Sequence, residues 1–351
     1  MAKESPKLKV VVAGTSFGGT VQIPVIQTHP RTRVVAVSSG RPERAQKTAI
    51  ENGIPAYYTD FEEMLDREKP DIVSIATPPT EHFRMVRATL ERRIHTLCEK
   101  PFALNLADAR EMKRAADAVA GVVAMIDFEF RDLPGRAFAA ELVRQGYIGK
   151  LRMADLMVHL GTRSRAEDVG WDWWSERSAG GGELGAVGSH TADMFWMMEG
   201  RPRRLLCDLV AFVRERSGRE VTSDDSYTLL MEFESGARAI VQMTHAAGLG
   251  DGHLGFYGSE GELVIPNLFA TEIRGGRRPD KSAPLEIPER YRLPQEQPPL
   301  RAPFRVLFNR MVHAIDNGLP SPSPNFEDGV NSQIVLDAAY LSATEKRWVD
   351  L

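Results

Sequence analysis

The sequence predicts an α/β chain in two parts: an N-terminal, doubly wound parallel sheet, followed by an α+β domain built on a mostly antiparallel sheet. Three observations carry this expectation. Short, β-branched apolar runs alternate with helix-like segments up to about residue 125. A glycine cluster, GTSFGG at residues 14–19, directly follows the first run. Beyond residue 125 the alternation gives way to strand-like segments joined by hairpin turns.

The first-domain strands are KVVVAG, RVVAVSS, DIVSIATP and IHTLCEKP, with the length and branching of strands buried on both faces. Between them lie TVQIPVIQTH, RPERAQKTAIENG, DFEEMLDRE and EHFRMVRATLERR, all of helical character. The second of these has Pro42 just inside its start and Gly53 at its end, the expected asymmetry of helix termini. LADAREMKRAADAVAG adds a helix closed by Gly121, and VVAMIDFEF a further strand. These elements place a nucleotide-binding domain at residues 1–125 and a second domain at 126–351.

In the second domain PGRAFAAELVRQGYIG is helix-like and KLRMADLMVHLG alternates as a strand does. A Trp- and Gly-rich stretch over residues 170–200 comes next, then RRLLCDLVAFVRE, DSYTLLMEFESGARAIVQMTH and HLGFYGSEGELVIP as antiparallel strands. Residues 275–303, rich in proline and charge, are expected as a surface excursion without regular structure. EDGVNSQIVLDAAYLSATEKRW is a final helix.

Composition excludes several classes of function. Acidic and basic residues interleave to a net charge of −4, with no basic stripe for nucleic acid. No apolar run approaches a membrane span, and MAKESPKLK is too polar for a signal peptide. Two cysteines, Cys98 and Cys207, exclude a disulfide scaffold and suit the cytoplasm. No Cys/His/Asp spacing predicts a metal site, and no G-x-S-x-G or thiol nucleophile appears. His159 and His245 are scattered enough to count as incidental.

A glycine turn between a first strand and a first helix holds a dinucleotide pyrophosphate on backbone N–H groups. Gly14, Gly18 and Gly19 supply that turn here, with Ser16 where the fingerprint has its middle glycine and Phe17 beside it. The Ser16 hydroxyl can itself donate to phosphate. After the second strand the chain runs AVSSGRPERA, with no acid until Glu43. A carboxylate at that point binds the ribose 2′-OH of NAD, whereas basic groups accept the 2′-phosphate of NADP. Ser39, Arg41 and Arg44 therefore favour NADP, with NAD as the other candidate.

CEKPFALN at 98–105 and GGGELGAVGSHTAD at 180–193 resemble the Gfo/Idh/MocA family of NAD(P)-dependent oxidoreductases, which includes glucose–fructose oxidoreductase and inositol dehydrogenases. The resemblance extends through ATPPTEH, FEFRDLP, DDSYTLLMEFESGARA, GFYGSEGEL and NFEDGVNSQIVLDAAYLSA, nearly the whole chain. It implies a Rossmann-type first domain and a second domain whose large open sheet forms a homodimer or homotetramer. The implied reaction is hydride transfer between a nicotinamide and a sugar, polyol or related hydroxy or keto compound.

The resemblance assigns roles by position. Glu99, Lys100 and Pro101 match the family's E-K-P, whose lysine points at the reacting carbon. Beside a cationic nicotinamide, a lysine in a desolvated cleft has a lowered pKa and can exchange a proton. Thr77, Pro78 and His82 match the loop under the nicotinamide ribose. His190 matches the catalytic histidine, and an imidazole with an ordinary pKa of about 6.5 suits proton transfer. Arg131 matches an arginine that touches cofactor or substrate, and Trp173 and Trp174 offer flat apolar faces for a sugar. The family often reads D-x-G-x-H, but here Ala186 stands in place of the carboxylate. Asp193, three residues beyond His190, shares its helical face and either orients the imidazole or is structural. Two other activities fit the same resemblance: NAD-dependent glycoside cleavage through transient oxidation, and non-catalytic nucleotide sensing.

Overall fold

The computed structural model describes residues 6–351 and divides into two compact units. The first unit comprises residues up to Glu129 together with Pro294–Val330, and the second Phe130–Leu293 together with Asn331–Leu351.

The first unit is a parallel sheet of β1 (Leu8–Ala13), β2 (Thr32–Ser38), β3 (Ala56–Tyr58), β4 (Ile72–Ile75), β5 (His95–Cys98) and β6 (Ala124–Ile126). Its spatial order is β3-β2-β1-β4-β5-β6, so the order reverses beside β1. Helices α1 (Ile23–Thr28), α2 (Pro42–Glu51), α3 (Phe61–Glu68), α4 (His82–Glu91) and α5 (Leu106–Asp117) connect the strands. Asp60 caps α3 and Asn105 caps α5, each side chain accepting an N–H from the first turn. Val10, Val12, Ile72 and Leu97 are fully buried, as continuous apolar strands in a parallel sheet require.

Part of this unit comes from far along the chain. Helix α9 (Arg301–Asp316) presents Phe304, Leu307, Phe308 and Met311 to the same core as Val10 and Ile26. The boundary expected at residue 125 thus gives way to a discontinuous unit, because an apolar helical face is buried where a matching core is available. The expected irregular stretch at 275–303 also holds short paired strands and the start of α9.

The second unit carries α6 (Pro134–Arg144), β7 (Leu151–His159), α7 (Glu183–Ala186), α8 (Gly188–Glu199), β8 (Pro202–Val210), β9 (Glu215–Arg216) and β10 (Arg219–Glu220). Strands β11 (Ser226–Phe233), β12 (Arg238–Thr244), β13 (Gly252–Gly258), β14 (Gly261–Ile265), β15 (Arg274–Arg277), β16 (Ala283–Pro284) and β17 (Val349–Asp350) follow. Helix α10 (Phe326–Glu345) precedes β17.

Among the described residues these strands form a nine-stranded sheet, β16-β15-β14-β13-β7-β12-β11-β8-β17, beside the β9–β10 hairpin. Every pair in it is antiparallel except β7 with β12. Strict alternation buries Tyr227, Leu229, Met231 and Phe233 of β11 on one face, against α7 and α8 residues such as Leu184 and Phe195. No helix among the described residues is long and apolar enough to cross a membrane.

Candidate active site

In the first unit the site is organised at the carboxyl ends of the parallel strands, where an open α/β sheet places its ligands. Gly14 follows β1 with φ +112°, and a Cβ there would stand 2.1 Å from the Ala76 carbonyl oxygen. Only glycine allows β1 and the loop after β4 to approach so closely. Ser16 is exposed, and Phe17 leads into a π-helical turn over Gly18–Gln22. Such turns recur at functional sites. Gln22, at the end of this one, is fully buried.

At the end of β2, Ser39 is half-buried while Arg41 and Arg44 are exposed at the start of α2. The Ser39 hydroxyl accepts the Arg41 N–H at 3.2 Å. The donor set at this end of the sheet is hydroxyl and guanidinium, with no acid before Glu43, and it fits a phosphorylated nucleotide.

Thr77 and Pro78 form the loop after β4. His82 opens α4 fully buried, and its ring nitrogens lie 3.0 Å from the Pro101 carbonyl oxygen and 3.0 Å from that of Thr77. Burial lowers its pKa, and the ring sits between the Thr77 and Pro101 loops, its one N–H when neutral donating to one of the two carbonyls.

Glu99 and Lys100 follow β5, and the Lys100–Pro101 bond is cis. The Lys100 ammonium stands 4.0 Å from Glu99 Oε2, with 20% of its side chain exposed. Glu99 is buried, and its other oxygen accepts a hydrogen bond from Gln22 Nε2 at 2.9 Å. Asp127 and Glu129, on the segment after β6, are buried with it. The sequence singled out neither of these acids, nor Gln22. IDFEF does interrupt an apolar run with two carboxyls, and that was the signal available.

In the second unit His190 lies in the first turn of α8, buried, with Phe130 stacked on its ring. Arg131, adjacent to Phe130, grips both oxygens of Asp193, with Nε to Oδ2 at 2.7 Å. The pair is almost wholly buried, with 11% of the arginine side chain and 3% of the aspartate side chain exposed. Arg131 and Asp193 thus meet in a buried ion pair, and the segment 130–131 holds two residues of one helical face.

The tryptophan segment is tied down as well. A Cβ on Gly181 would collide with the Trp173 carbonyl oxygen at 2.3 Å, so the glycine run packs directly under the Trp173–Trp174 backbone. Trp174 has Arg163 over its ring at 4.9 Å and His245 edge-on at 5.6 Å. These side chains line a small polar cavity with Glu183, Arg216 and Asp224.

His245, read from the sequence as incidental, is hydrogen-bonded through Nδ1 to Glu183. Burial raises the Glu183 pKa while His245 draws it back down, and burial pushes Asp224 up to about 7. Among the described residues no group of three or more His, Cys, Asp or Glu is placed to hold a metal.

Comparison with known proteins decides the family. Residues 8–128 match the NAD-binding Rossmann-fold domain of the GFO/IDH/MocA oxidoreductases, and residues 137–264 match a GFO/IDH/MocA C-terminal domain. The chain belongs to the Gfo/Idh/MocA oxidoreductase family. An uncharacterized oxidoreductase of Synechocystis sp. is 30% identical, covering 99% of this chain and 96% of that protein. Levoglucosan dehydrogenase of Pseudarthrobacter phenanthrenivorans is 25% identical, covering 90% of this chain and 88% of its own. The crystal structure of an oxidoreductase domain protein from Kribbella flavida has a TM-score of 0.88 at 26% identity, covering 99% of both chains. A levoglucosan dehydrogenase in complex with NADH and levoglucosan shares the fold, with a TM-score of 0.86 at 22% identity over 98% of this chain and 99% of that one. As a Gfo/Idh/MocA oxidoreductase, the chain is an NAD(P)-dependent dehydrogenase or reductase acting on CH–OH groups.

Proposed function

We propose that this oxidoreductase interconverts a hydroxyl and a carbonyl of a sugar or polyol, using NADP(H) in preference to NAD(H), with Lys100 and His190 in proton transfer. The observation that carries the reading is the placing of Lys100. It extends from the carboxyl end of a parallel strand, partly shielded, with its ammonium against a buried carboxylate. A dinucleotide-binding sheet positions its reactive groups at that end. Support for the substrate class comes from levoglucosan dehydrogenase and from the D-apiose dehydrogenase of Paraburkholderia graminis, 27% identical over 91% of this chain.

Nicotinamide, when bound, supplies the hydride acceptor or donor. Everything else falls to the chain's own residues. Lys100 takes the hydroxyl proton during oxidation and returns it during reduction, and His190 helps to move that proton. Glu183 and His245 stabilise the wall behind Trp174, and Trp173 and Trp174 present the sugar-facing surface. Support for NADP comes from the Ser39, Arg41 and Arg44 donor set.

We also propose that the open face of the nine-stranded sheet meets a second copy of the chain. Leu206, Leu230 and Ile240 form a half-buried cross-strand row there, near the exposed Met153.

A panel of sugars and polyols, assayed through nicotinamide absorbance with each cofactor, tests the reading. Turnover of a member of the panel with NADP, lost in Lys100→Met while NADPH still binds, is the expected result. Equal dissociation constants for NADP and NAD overturn the cofactor preference. Retained turnover in Lys100→Met overturns the role of the lysine.

A further inference from the structure

Three buried carboxyls, Glu99, Asp127 and Glu129, gather beside Lys100 in the first unit, exposed by only 5%, 0% and 1%. One amide organises them. Gln22 Oε1 accepts the Ser74 hydroxyl at 2.8 Å, which fixes the amide's orientation and turns its NH₂ towards the acids. From there Nε2 donates to Glu99 Oε1 at 2.9 Å and to Asp127 Oδ2 at 3.1 Å. Asp127 is also within hydrogen-bonding reach of Glu99, and Glu129 of Asp127. Two further buried titratable groups lie here: Cys98, whose thiol is pushed up by burial and by Glu99 and Asp127, and His82, whose pKa is lowered by burial and by the nearby Lys100 charge.

Three full negative charges at such depth against one ammonium are untenable, so the cluster holds protons at neutral pH. Burial and Glu99 raise the pKa of Asp127, and burial and Glu99 push Glu129 up to about 8 despite the opposing pull of Lys100.

We infer that Asp127 and Glu129 are positioning residues for Lys100, their protonation setting how tightly the Lys100 ammonium holds its proton. The inference rests on the reading of Lys100 as the proton-transfer group. While Asp127 and Glu129 are protonated, neither adds a negative charge beside the ammonium, and Lys100 can release its proton. Once Glu129 ionises, its buried charge holds that proton in place. Proton release from Lys100 is therefore opposed at alkaline pH by the cluster itself. Gln22 holds Glu99 and Asp127 together.

The test reads Lys100 directly. The full-length protein is reductively ¹³C-methylated, and the Lys100 signal is assigned by its loss in Lys100→Arg and followed by NMR through a pH titration. In the wild type the signal moves in two steps, one of them near pH 8. In Glu129→Gln the step near pH 8 disappears and the Lys100 midpoint falls by about one unit. Asp127→Asn, with the same lowered midpoint, serves if Glu129→Gln fails to fold. A protonated-carboxyl band in infrared difference spectra, weakened through pH 8 in the wild type and unchanged there in Glu129→Gln, is expected alongside. Superimposable Lys100 curves in wild type and variant overturn the inference. Because neither readout needs turnover, that failure is distinct from retained activity in Lys100→Met, which overturns the role of Lys100 instead.

Discussion

Phe130 lies flat on the His190 imidazole, with ring centroids 3.9 Å apart and planes 7° from parallel. The contact fixes the plane of the imidazole, and Arg136 stands over the same phenyl ring at 5.2 Å. Phe130→Leu keeps the apolar bulk and removes the flat face. If His190 exchanges a proton with substrate, the misaligned ring lowers kcat by about 10- to 100-fold. Cofactor dissociation constants stay as in the wild type. Steady-state kinetics and cofactor titration check this, and an unchanged kcat would show that the stack does not orient a working histidine.

Next to that stack, the Arg131–Asp193 pair has both partners buried. Removing one partner of such a pair leaves the other charge uncompensated and costs about 3–5 kcal/mol. Asp193→Ala is therefore expected to destabilise the fold by that amount in urea unfolding. Arg131→Met combined with Asp193→Leu should recover most of the loss, since neither charge is then left buried. Additive losses in the double variant would count against the pair as the cause.

The end of β2 offers a test of cofactor choice. If the end of β2 meets the adenosine ribose as proposed, Ser39→Asp supplies a carboxylate that accepts from a 2′-OH and repels a 2′-phosphate. The ratio of kcat/KM for NADP to that for NAD should fall by more than about tenfold. Arg41→Ala should weaken NADP binding while leaving NAD unaffected, because the forked guanidinium acts on phosphate. An unchanged cofactor ratio in both variants would remove this loop from cofactor selection.

Strands β1, β2, β4 and β5 were legible in the sequence because a parallel strand buried on both faces is written as one continuous β-branched run. GTSFGG was legible for a local reason, since a close backbone approach leaves glycine as its signature. The placing of α9 was not, because its apolar face fits any core and nothing local says which one. Glu183 and His245 lie far apart in sequence and meet only through the sheet, so neither carried a mark. Ala186 illustrates the converse. Its departure from the family pattern is plain in the sequence, whereas the carboxylates that do surround the candidate groups, Asp127 and Glu129 in one unit and Glu183 in the other, emerge only from the fold.

Those buried carboxyls should govern how stability responds to pH. Burial pushes Asp224 up to about 7, and burial and Glu99 push Glu129 up to about 8. In the unfolded chain both titrate near about 4. The folded state therefore binds their protons more tightly, and the stability linked to them is fully present below about pH 4. It is lost as pH rises through 7 for Asp224 and through 8 for Glu129. The thermal midpoint should accordingly decline from about pH 4 up to about pH 8. Asp224→Asn keeps an acceptor for the Leu184 N–H, bonded at 2.8 Å in the wild type, and should flatten the first part of the decline. Glu129→Gln should flatten it over the whole range and abolish the part above about pH 7. Calorimetry across that range checks both, and a decline that persists unchanged in the two variants would assign it to other groups.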